Sequence, residues 1–208
     1  MIETLLKQIP KSLKNQSGSV FYSGRTAFSE PSLIYVLGLN PGGSPLLQAQ
    51  ETISRHTNKV LKCEKPNWSA YRDESWLGKS PGTHGMQPRV LHMFQKLNRD
   101  PGRVPSSNVV FLRSKRERGI EGNFRDLARH CWPFHQNVID QLGVRLVVCF
   151  GKTAGDWVKE VLNANRHVET YTENNKRRMA KQRLPKCQGN GCCNSFASQY
   201  SRLDQALD

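Results

Sequence analysis

Three short apolar segments, set among stretches with helical periodicity, constrain the fold of this chain more than any other feature. These strand candidates are Ser32–Gly38, Asn108–Leu112 and Val144–Phe150. Each is an apolar run of about five residues, rich in β-branched side chains, as strands are. The helix candidates that alternate with them are Leu46–Lys62, Pro88–Leu97, Asn123–Leu142 and Thr153–Asn163. Such alternation is typical of a parallel sheet covered on both faces. We therefore predict a three-layer α/β/α fold with a short parallel central sheet.

The domain organisation follows from where this alternation begins and stops. An amphipathic stretch over Met1–Ser12 predicts an N-terminal helical segment within residues 1–19. The α/β/α domain is expected over residues 20–168. Residues 174–208 show no sustained helical or strand period, so residues 169–208 are predicted to be an irregular basic tail. On this prediction the last strand of the sheet is missing.

Charge favours a polyanionic partner. The chain has 31 Lys and Arg against 17 Asp and Glu, a net charge of +14. Because each phosphate neutralised by a basic side chain releases condensed counterions, DNA is the predicted partner. Two alternatives are a basic chain without such a partner and a binder of membrane surfaces. The second would need a basic amphipathic helix with an aromatic face, which the sequence does not show.

Apolar runs and the N-terminus bear on localisation. The longest apolar runs are about five residues, whereas a membrane-spanning helix needs roughly 20. The first residues lack the apolar segment and cleavage site of a signal peptide. We therefore expect a cytoplasmic monomer without membrane contact.

Cysteine and histidine residues do not form a recognisable metal motif. Six cysteines in 208 residues are too few for a disulfide framework, and we expect reduced thiols. Three of them cluster over residues 187–193, but two of these are adjacent and no histidine completes a zinc set. His130 and His135 are interpreted as surface or packing residues. We predict no metal and no cofactor.

The loop after the first strand offers the clearest candidate site. Gly38-Leu39-Asn40-Pro41-Gly42 follows that strand directly. Ligands of open parallel sheets bind beyond the carboxyl ends of the strands, and glycine allows the backbone to approach a ligand closely. The Asn40 amide offers both a donor and an acceptor there. The alternative is an Asn-Pro turn that only joins strand to helix. The loop is neither a P-loop nor a GxGxxG turn.

Three segments together resemble a known family. Leu33–Gly42 (LIYVLGLNPG) resembles the first motif of the uracil-DNA glycosylase superfamily, particularly the Gly-x-Asn-Pro-Gly form of its mismatch-specific and single-strand-selective branches. Asn108-Val109-Val110 is similar to the family's second strand. Cys131–Gly151, continuing to Ala154, is similar to its later helix, strand and helix start. The resemblance covers most of residues 30–165 in the right order.

The resemblance implies a monofunctional DNA glycosylase. Such an enzyme hydrolyses the N-glycosidic bond of uracil, or of a related damaged pyrimidine, after the base has flipped out of the DNA. By this resemblance Asn40 holds the attacking water and Asn108 reads the edge of the pyrimidine. Gly38, Pro41 and Gly42 line the pocket. The reaction needs positioned dipoles rather than a strong nucleophile, which suits amide side chains.

Base stacking and phosphate contact are two further roles, for which several residues are candidates. The family stacks an aromatic ring on the extruded base, but no aromatic residue follows Gly42-Gly43-Ser44 directly. The candidates, which are otherwise packing residues, are Trp68, Tyr71 and Trp76. A basic cluster after the second strand is predicted to contact DNA phosphates, or else forms a solvated face. Its members are Arg113, Lys115, Arg116 and Arg118.

One expected motif is absent. The resemblance implies a fourth strand that ends in a His-Pro turn, whose histidine donates to the leaving base. The last histidine of this chain is His167. We hypothesise that the tail is translated in a shifted frame. Reading one base later from Gly191 converts Cys192-Cys193 to Val or Ala and permits His-Pro at Ala197-Ser198. The chain as written would then lack a strand and a catalytic group, and would be unstable and weakly active at most.

Two other functions stay open. The first is a non-catalytic, decayed or repurposed α/β protein that binds nucleic acid. The second is a nucleotide- or nucleoside-processing enzyme that uses the same site at the tip of the strand.

Overall fold

The computed structural model describes residues 2–172, 178–183 and 196–200, which form an α/β structure. The helices are α1 (Ile2–Lys7), α2 (Ile53–Leu61), α3 (Ala70–Asp73), α4 (Gln87–Lys96), α5 (Arg118–Glu121), α6 (Phe124–Leu142) and α7 (Lys152–Val161). The strands are β1 (Ile34–Gly38), β2 (Ser106–Asn108), β3 (Leu146–Phe150), β4 (Arg166–Thr172), β5 (Arg178–Arg183) and β6 (Phe196–Tyr200). Short 3₁₀ helices cover Lys11–Leu13 and Arg25–Phe28.

The sheet has the strand order β2-β1-β3-β6-β5-β4. Strands β2, β1, β3 and β6 run parallel to their neighbours, and β5 pairs antiparallel with both β6 and β4. In the pairing of β1 with β2, Gly38 lies opposite Asn108. The two strands therefore end side by side, and their following loops lie at the same edge of the sheet.

Side chains of β1 alternate between two hydrophobic cores. Tyr35 and Leu37 belong to a large core, which also takes buried residues from α1, α6 and α7. Val36 belongs to a second core with Val90 and Phe94 of α4. Successive side chains of a strand point to opposite faces, so helices cover both faces of the sheet. The predicted α/β fold with a short parallel sheet is confirmed.

The N-terminal segment packs into the large core. Leu5 of α1, Ile9 and Leu13 are all buried there. The residues after them are held by backbone bonds, because the N–H groups of Ile53 and Ser54 donate to the carbonyls of Gln16 and Lys14. Residues 2–19 are thus an integral part of the α/β domain.

Two predicted elements are shorter in the structure. The helix predicted over 46–62 begins only at Ile53, because Thr52 is extended and pairs with Ser17, and the Glu51 carbonyl accepts from the N–H of Gly18. The side chain of Thr52 then accepts a hydrogen bond from the N–H of Arg55 and caps the helix. The strand predicted over 108–112 ends at Asn108, and the buried residues after it lie in a bend.

The C-terminal segment departs from its prediction. Residues predicted to be an irregular tail contribute β5 and β6, and β4 begins at Arg166, inside the predicted domain. Strand β6 pairs in parallel with β3 over five residues, so a fourth parallel strand is present. The reason is that the open edge of β3 offers backbone hydrogen bonds that need no apolar period in the partner. Residues 184–195 and 201–208, including most of the hypothetical shifted-frame segment, lie outside the described residues.

A buried polar pair ties the sheet to α6. The hydroxyl of Tyr35 and Nδ1 of His135 are 2.7 Å apart, and Nε2 of His135 is 3.2 Å from the carbonyl oxygen of Val109. Because a carbonyl only accepts, Nε2 donates to Val109 and Nδ1 accepts from Tyr35. Burial lowers the pKa of His135 to about 4, so the ring is neutral at pH 7. His135 is a packing residue, as predicted, and His130 is exposed.

Candidate functional site at the carboxyl edge of the sheet

The Asn40 loop is held tightly by the segment that follows β2. The N–H groups of Val109 and Val110 donate to the carbonyls of Gly38 and Leu39, both at 2.9 Å. The N–H of Ser114 donates to the Pro41 carbonyl at 3.0 Å. The backbone is therefore fixed on both sides of Asn40.

The side chain of Asn40 is oriented by its own loop. Its Nδ2 donates to the carbonyl of Pro41 at 2.9 Å, and the residue is half-buried. Since that carbonyl only accepts, the amide oxygen must point the other way. No donor in the described part of the chain contacts this oxygen. The site thus presents a positioned acceptor to a ligand.

Asn108 supplies a second amide beside the first strand. It is only 4% exposed, and its Oδ1 lies 2.2 Å from where a Cβ of Gly38 would be. Only glycine lets the amide lie across the end of β1. Its Nδ2 is buried and has no partner among the described residues. An unsatisfied buried donor costs about 1–3 kcal/mol, and Nδ2 is therefore available to donate to a ligand.

Tyr22 borders Asn108 and was not found by sequence reasoning. Its N–H donates to the carbonyl of Ser106, and its own carbonyl accepts from Ala70. Burial raises the pKa of its phenol, against the opposing influence of Ser19, Arg113 and Asn108. The phenol is therefore close to the amide of Asn108, although it makes no hydrogen bond with Nδ2, and it is protonated at pH 7. The signal that was available, an aromatic residue in a segment between glycines, is not specific.

Of the three aromatic candidates for stacking on the base, Tyr71 and Trp76 pack against Tyr22. The ring centroid of Tyr22 lies 5.6 Å from that of Tyr71 and 6.5 Å from that of Trp76. Tyr71 is buried, while Trp76 is partly exposed and its Nε1 donates to Glu74. Trp68 instead packs against His56 at 6.3 Å. Trp76 is thus the candidate whose ring is both near Tyr22 and partly accessible.

His56 is a further ionisable residue near the loop anchor. Burial, together with the positive charges of Lys59 and Arg113, lowers the pKa of His56 to about 4. Its Nδ1 is buried and has no partner among the described residues. The sequence offered no signal for it, because a single histidine on a helix has no motif.

The predicted phosphate-binding cluster divides into two kinds of residue. Arg113 donates to Ser17, to the carbonyl of Gly42 at 2.6 Å and to Glu51 at 2.9 Å, and its side chain is only 9% exposed. This placement favours a role in anchoring the Asn40 loop over phosphate contact. Lys115 and Arg116 are exposed, and their predicted phosphate contacts stay predictions. The side chain of Arg118 lies outside the described residues.

Metal-ligand clusters and membrane-spanning helices are both absent from the described residues. Within the described ranges, no three His, Cys, Asp or Glu side chains are grouped as a metal site would require. Cys131 and Cys149 are buried thiols, and burial raises the pKa of each to about 12. The three cysteines within 187–193 lie outside the described residues. None of the described helices has the length and apolar character to cross a bilayer.

A cavity of about 340 Å³ lies at the other edge of the sheet. It is lined by residues before and at the start of β1, including Leu33, and by the segment before β2, including Asp100. None of the predicted site residues lines it. Ligands of parallel sheets bind at the carboxyl ends of strands, so the edge with Asn40 and Asn108 is the better candidate site despite this cavity.

Comparison with known proteins does not assign the chain. No protein-family model matches it, and no curated protein matches it either. The site must therefore be interpreted from its own chemistry.

Proposed function

We propose that this protein is a DNA glycosylase that hydrolyses the N-glycosidic bond of uracil or a related damaged pyrimidine. The observation that carries the proposal is the pair of amides at one strand edge. Asn40 keeps an unpaired acceptor, and the buried Asn108 keeps an unpaired donor. The Gly-x-Asn-Pro-Gly sequence of the loop and the +14 net charge support it.

The two amides suit the two halves of the reaction. Bond cleavage produces an oxocarbenium-like sugar and a departing base that carries negative charge. The Nδ2 of Asn108 donates to the pyrimidine edge, and Oδ1 of Asn40 accepts a hydrogen bond from the attacking water. An amide cannot remove a proton at neutral pH, so Asn40 orients the water without acting as a general base. We therefore expect a slower enzyme than one with a carboxylate at this position.

The direct test is uracil release from DNA. The protein is incubated with uracil-containing oligonucleotides, single-stranded or duplex, and alkali then cleaves the abasic sites. Asn40→Ala should lower the rate by about 100- to 1000-fold, the range seen when one preorganised polar group is removed. Release of uracil at an unchanged rate by Asn40→Ala would contradict the proposal.

A matched control is Asn137→Ala on α6. The C-terminal half of α6 lies near the amino edge of the sheet, because the Leu142 carbonyl accepts from the N–H of Ser32. Asn137 makes only hydrogen bonds local to its helix. This variant should release uracil at the wild-type rate. As a substrate control, the wild-type protein should not hydrolyse the free nucleoside deoxyuridine at a rate comparable to that for DNA.

A second candidate function is a non-catalytic DNA-binding protein. It is favoured by the lack of any histidine after His167, which leaves the leaving base without the donor that the resemblance implies. Steeply salt-dependent binding without uracil release would indicate this function. Sequencing the gene around the codons for 175–179 tests the shifted frame, since an intact frame with no downstream His-Pro in any frame excludes it.

DNA contact by the exposed basic residues has its own readout. If Arg116 neutralises one phosphate, Arg116→Ala should reduce the slope of log K against log salt by about 1. Arg145, which is exposed beside the start of β3 at the amino edge, provides the control. An equal slope change for Arg145→Ala would mean that the effect is one of net charge alone.

A further inference from the structure

The cavity of about 340 Å³ at the amino edge of the sheet has a partly apolar lining. Leu33 and Ile34 contribute to it from the start of β1, and Val104 contributes from the segment before β2. Leu33 is 58% exposed, and Leu97, which directly precedes the lining residue Asn98, is 42% exposed. Apolar surface therefore continues from the cavity onto the outside of the protein. A ligand that covers both parts is longer than the cavity itself.

Two arginines, Arg99 and Arg103, line the same cavity. Arg99 is exposed, and its guanidinium makes no hydrogen bond or ion pair with the described residues. Arg103 pairs with Glu30 at 3.4 Å, and both side chains of this pair are more than half exposed. Such an exposed pair contributes little to stability, so Arg103 can exchange this partner for another. Both guanidinium groups are therefore available to an anionic ligand.

The two carboxylates of the lining do not cancel this positive charge. Asp100 is held by Arg72 at 2.6 Å and accepts two further hydrogen bonds, so its charge is already compensated by the protein. Glu30 is half-exposed and pairs with Arg103. Arg99 remains as a cation without a counter-charge among the described residues.

Hydrogen-bonded backbone carries both arginines. The N–H of Arg99 donates to the carbonyl of Phe94 at 2.9 Å, just after the end of α4. The N–H of Arg103 donates to the carbonyl of Asp100 at 3.0 Å. A ligand therefore does not have to order this part of the backbone, which lowers the entropic cost of binding.

We propose that this cavity binds an acidic peptide segment of a partner protein. A large apolar side chain of the peptide occupies the cavity, and the flanking carboxylates pair with Arg99 and Arg103. Arginine suits this role because its planar guanidinium forms two parallel hydrogen bonds with a carboxylate. Ligand pockets measure about 300–1,000 Å³, so this cavity is at the small end and suits an anchoring side chain. The inference goes beyond the proposed glycosylase function and does not depend on it.

A peptide fits the cavity better than DNA does. The cavity lies at the edge of the sheet opposite to Asn40 and Asn108, and none of the residues predicted to contact DNA lines it. Its apolar part has no complement in a phosphate backbone, whereas a peptide carries apolar and acidic side chains together. We therefore expect peptide and DNA to bind at the same time.

The test measures binding of a fluorescein-labelled peptide, Asp-Glu-Asp-Phe-Glu-Asp, to the whole protein by fluorescence anisotropy. Arg99→Ala should weaken binding by about tenfold or more, because a charged hydrogen-bond partner is lost. Replacing the phenylalanine of the peptide by alanine should weaken binding to a similar extent, about tenfold. The matched control is Arg145→Ala, which should change the affinity by less than about twofold. Arg145 is exposed at the same edge, and its N–H donates to the carbonyl of Leu33, but it does not line the cavity.

A second variant should bind the peptide more tightly, which a misfolded protein cannot do. Glu30→Gln frees Arg103 and removes a carboxylate that repels the peptide, so the affinity should rise by about two- to threefold. Asp126→Asn is its control, because Asp126 also forms an exposed ion pair, with Arg129, but does not line the cavity.

Three results would overturn the proposal. The first is that the wild-type protein does not bind the peptide. The second is an equal loss of affinity in Arg99→Ala and Arg145→Ala, which would make the effect one of net charge. The third is displacement of the peptide by saturating single-stranded DNA, which would make the cavity part of a DNA-binding surface.

Discussion

The Tyr35–His135 pair and the side chain of Asn108 are both buried polar groups near the first two strands, but they differ in how their hydrogen-bond donors are satisfied. In the core, Tyr35 and His135 bond to each other, and His135 also bonds to the carbonyl of Val109. At the strand edge, Asn108 is also buried, yet its Nδ2 has no partner among the described residues. The first arrangement satisfies every donor that it buries, and the second leaves one unsatisfied.

If the proposed function is right, this difference separates a structural polar group from a functional one. A satisfied buried network stabilises one packing arrangement of the core. An unsatisfied donor lowers stability, and a ligand that accepts a hydrogen bond from it removes that cost. We therefore expect substitutions in the Tyr35–His135 pair to act on stability, and substitutions at the strand edge to act on activity. Four measurements test that division.

The largest effect on stability is expected for His135→Ala. This change removes a fully buried side chain and leaves both the Tyr35 hydroxyl and the Val109 carbonyl unpaired. The free energy of unfolding should fall by about 3–4 kcal/mol, measured by urea denaturation. A loss below about 1 kcal/mol would show that the pair does not stabilise the core.

Acid should destabilise the protein in a definite pH window. The pKa of His135 is about 4 in the folded protein and near 6.5 in the unfolded chain. Between these values the unfolded chain takes up the proton and the folded protein does not. The stability that the lowered pKa of His135 contributes is therefore complete above pH 6.5. It decreases by up to about 3 kcal/mol as the pH falls to 4. His56 acts in the same direction.

The loss of stability caused by histidine protonation occurs at higher pH than the loss caused by protonation of carboxylates. The pKa of Asp73 is lowered to about 2; its desolvation on burial would raise it, but its bonds to Arg72, Lys65 and the Ser69 N–H outweigh that. Its contribution is present above pH 3.8 and is lost as the pH falls toward 2. Urea denaturation at several pH values gives the free energy of unfolding as a function of pH. Between pH 6.5 and 4 this free energy should fall less steeply in His135→Ala than in the wild type. An identical slope in wild type and variant would contradict the assignment.

A smaller effect is expected for Tyr35→Phe. The ring and its packing remain, but Nδ1 of His135 loses its donor. The free energy of unfolding should fall by about 1–2 kcal/mol. Tyr71→Phe is the matched control, because Tyr71 is also buried but its hydroxyl makes no hydrogen bond with the described residues. Equal losses in the two variants would mean that the hydroxyl–imidazole bond is not the cause.

The smallest effect on stability, with the opposite sign, is expected for Asn108→Leu. This change keeps a similar shape and removes the unsatisfied donor, so the free energy of unfolding should stay the same or rise by up to about 1 kcal/mol. Uracil release should nevertheless fall strongly. If the variant is instead less stable by several kcal/mol, Asn108 stabilises the fold in the same way as the Tyr35–His135 pair.

Local patterns in the sequence were sufficient for the main elements of the sheet. The apolar runs of β1 and β3 and the helical period of α6 predict these elements to within two residues. Gly143 ends α6 with a φ of 67°, as its position after the last apolar residue indicates. These features depend on neighbouring residues along the chain, so one sequence is enough to predict them.

Pairing between distant segments was not predictable in this way. Strands β5 and β6 lack an apolar period, and α2 starts late because residues 51–52 pair with residues 17–18. Backbone hydrogen bonds of this kind leave no mark in the sequence, since every residue type has a carbonyl that accepts and every type except proline has an N–H that donates.

The candidate site likewise combines local features, which the sequence predicts, with contacts between distant segments, which it does not. The sequence alone determined that an Asn-Pro loop with flanking glycines follows a buried strand, because a strand and the turn that ends it are local structures. Only the tertiary structure decided that Asn108 lies across Gly38, that Tyr22 borders this amide and that Arg113 anchors the loop. Each of these contacts joins segments about 70 residues or more apart in the chain, and the register of β1 with β2 brings them together.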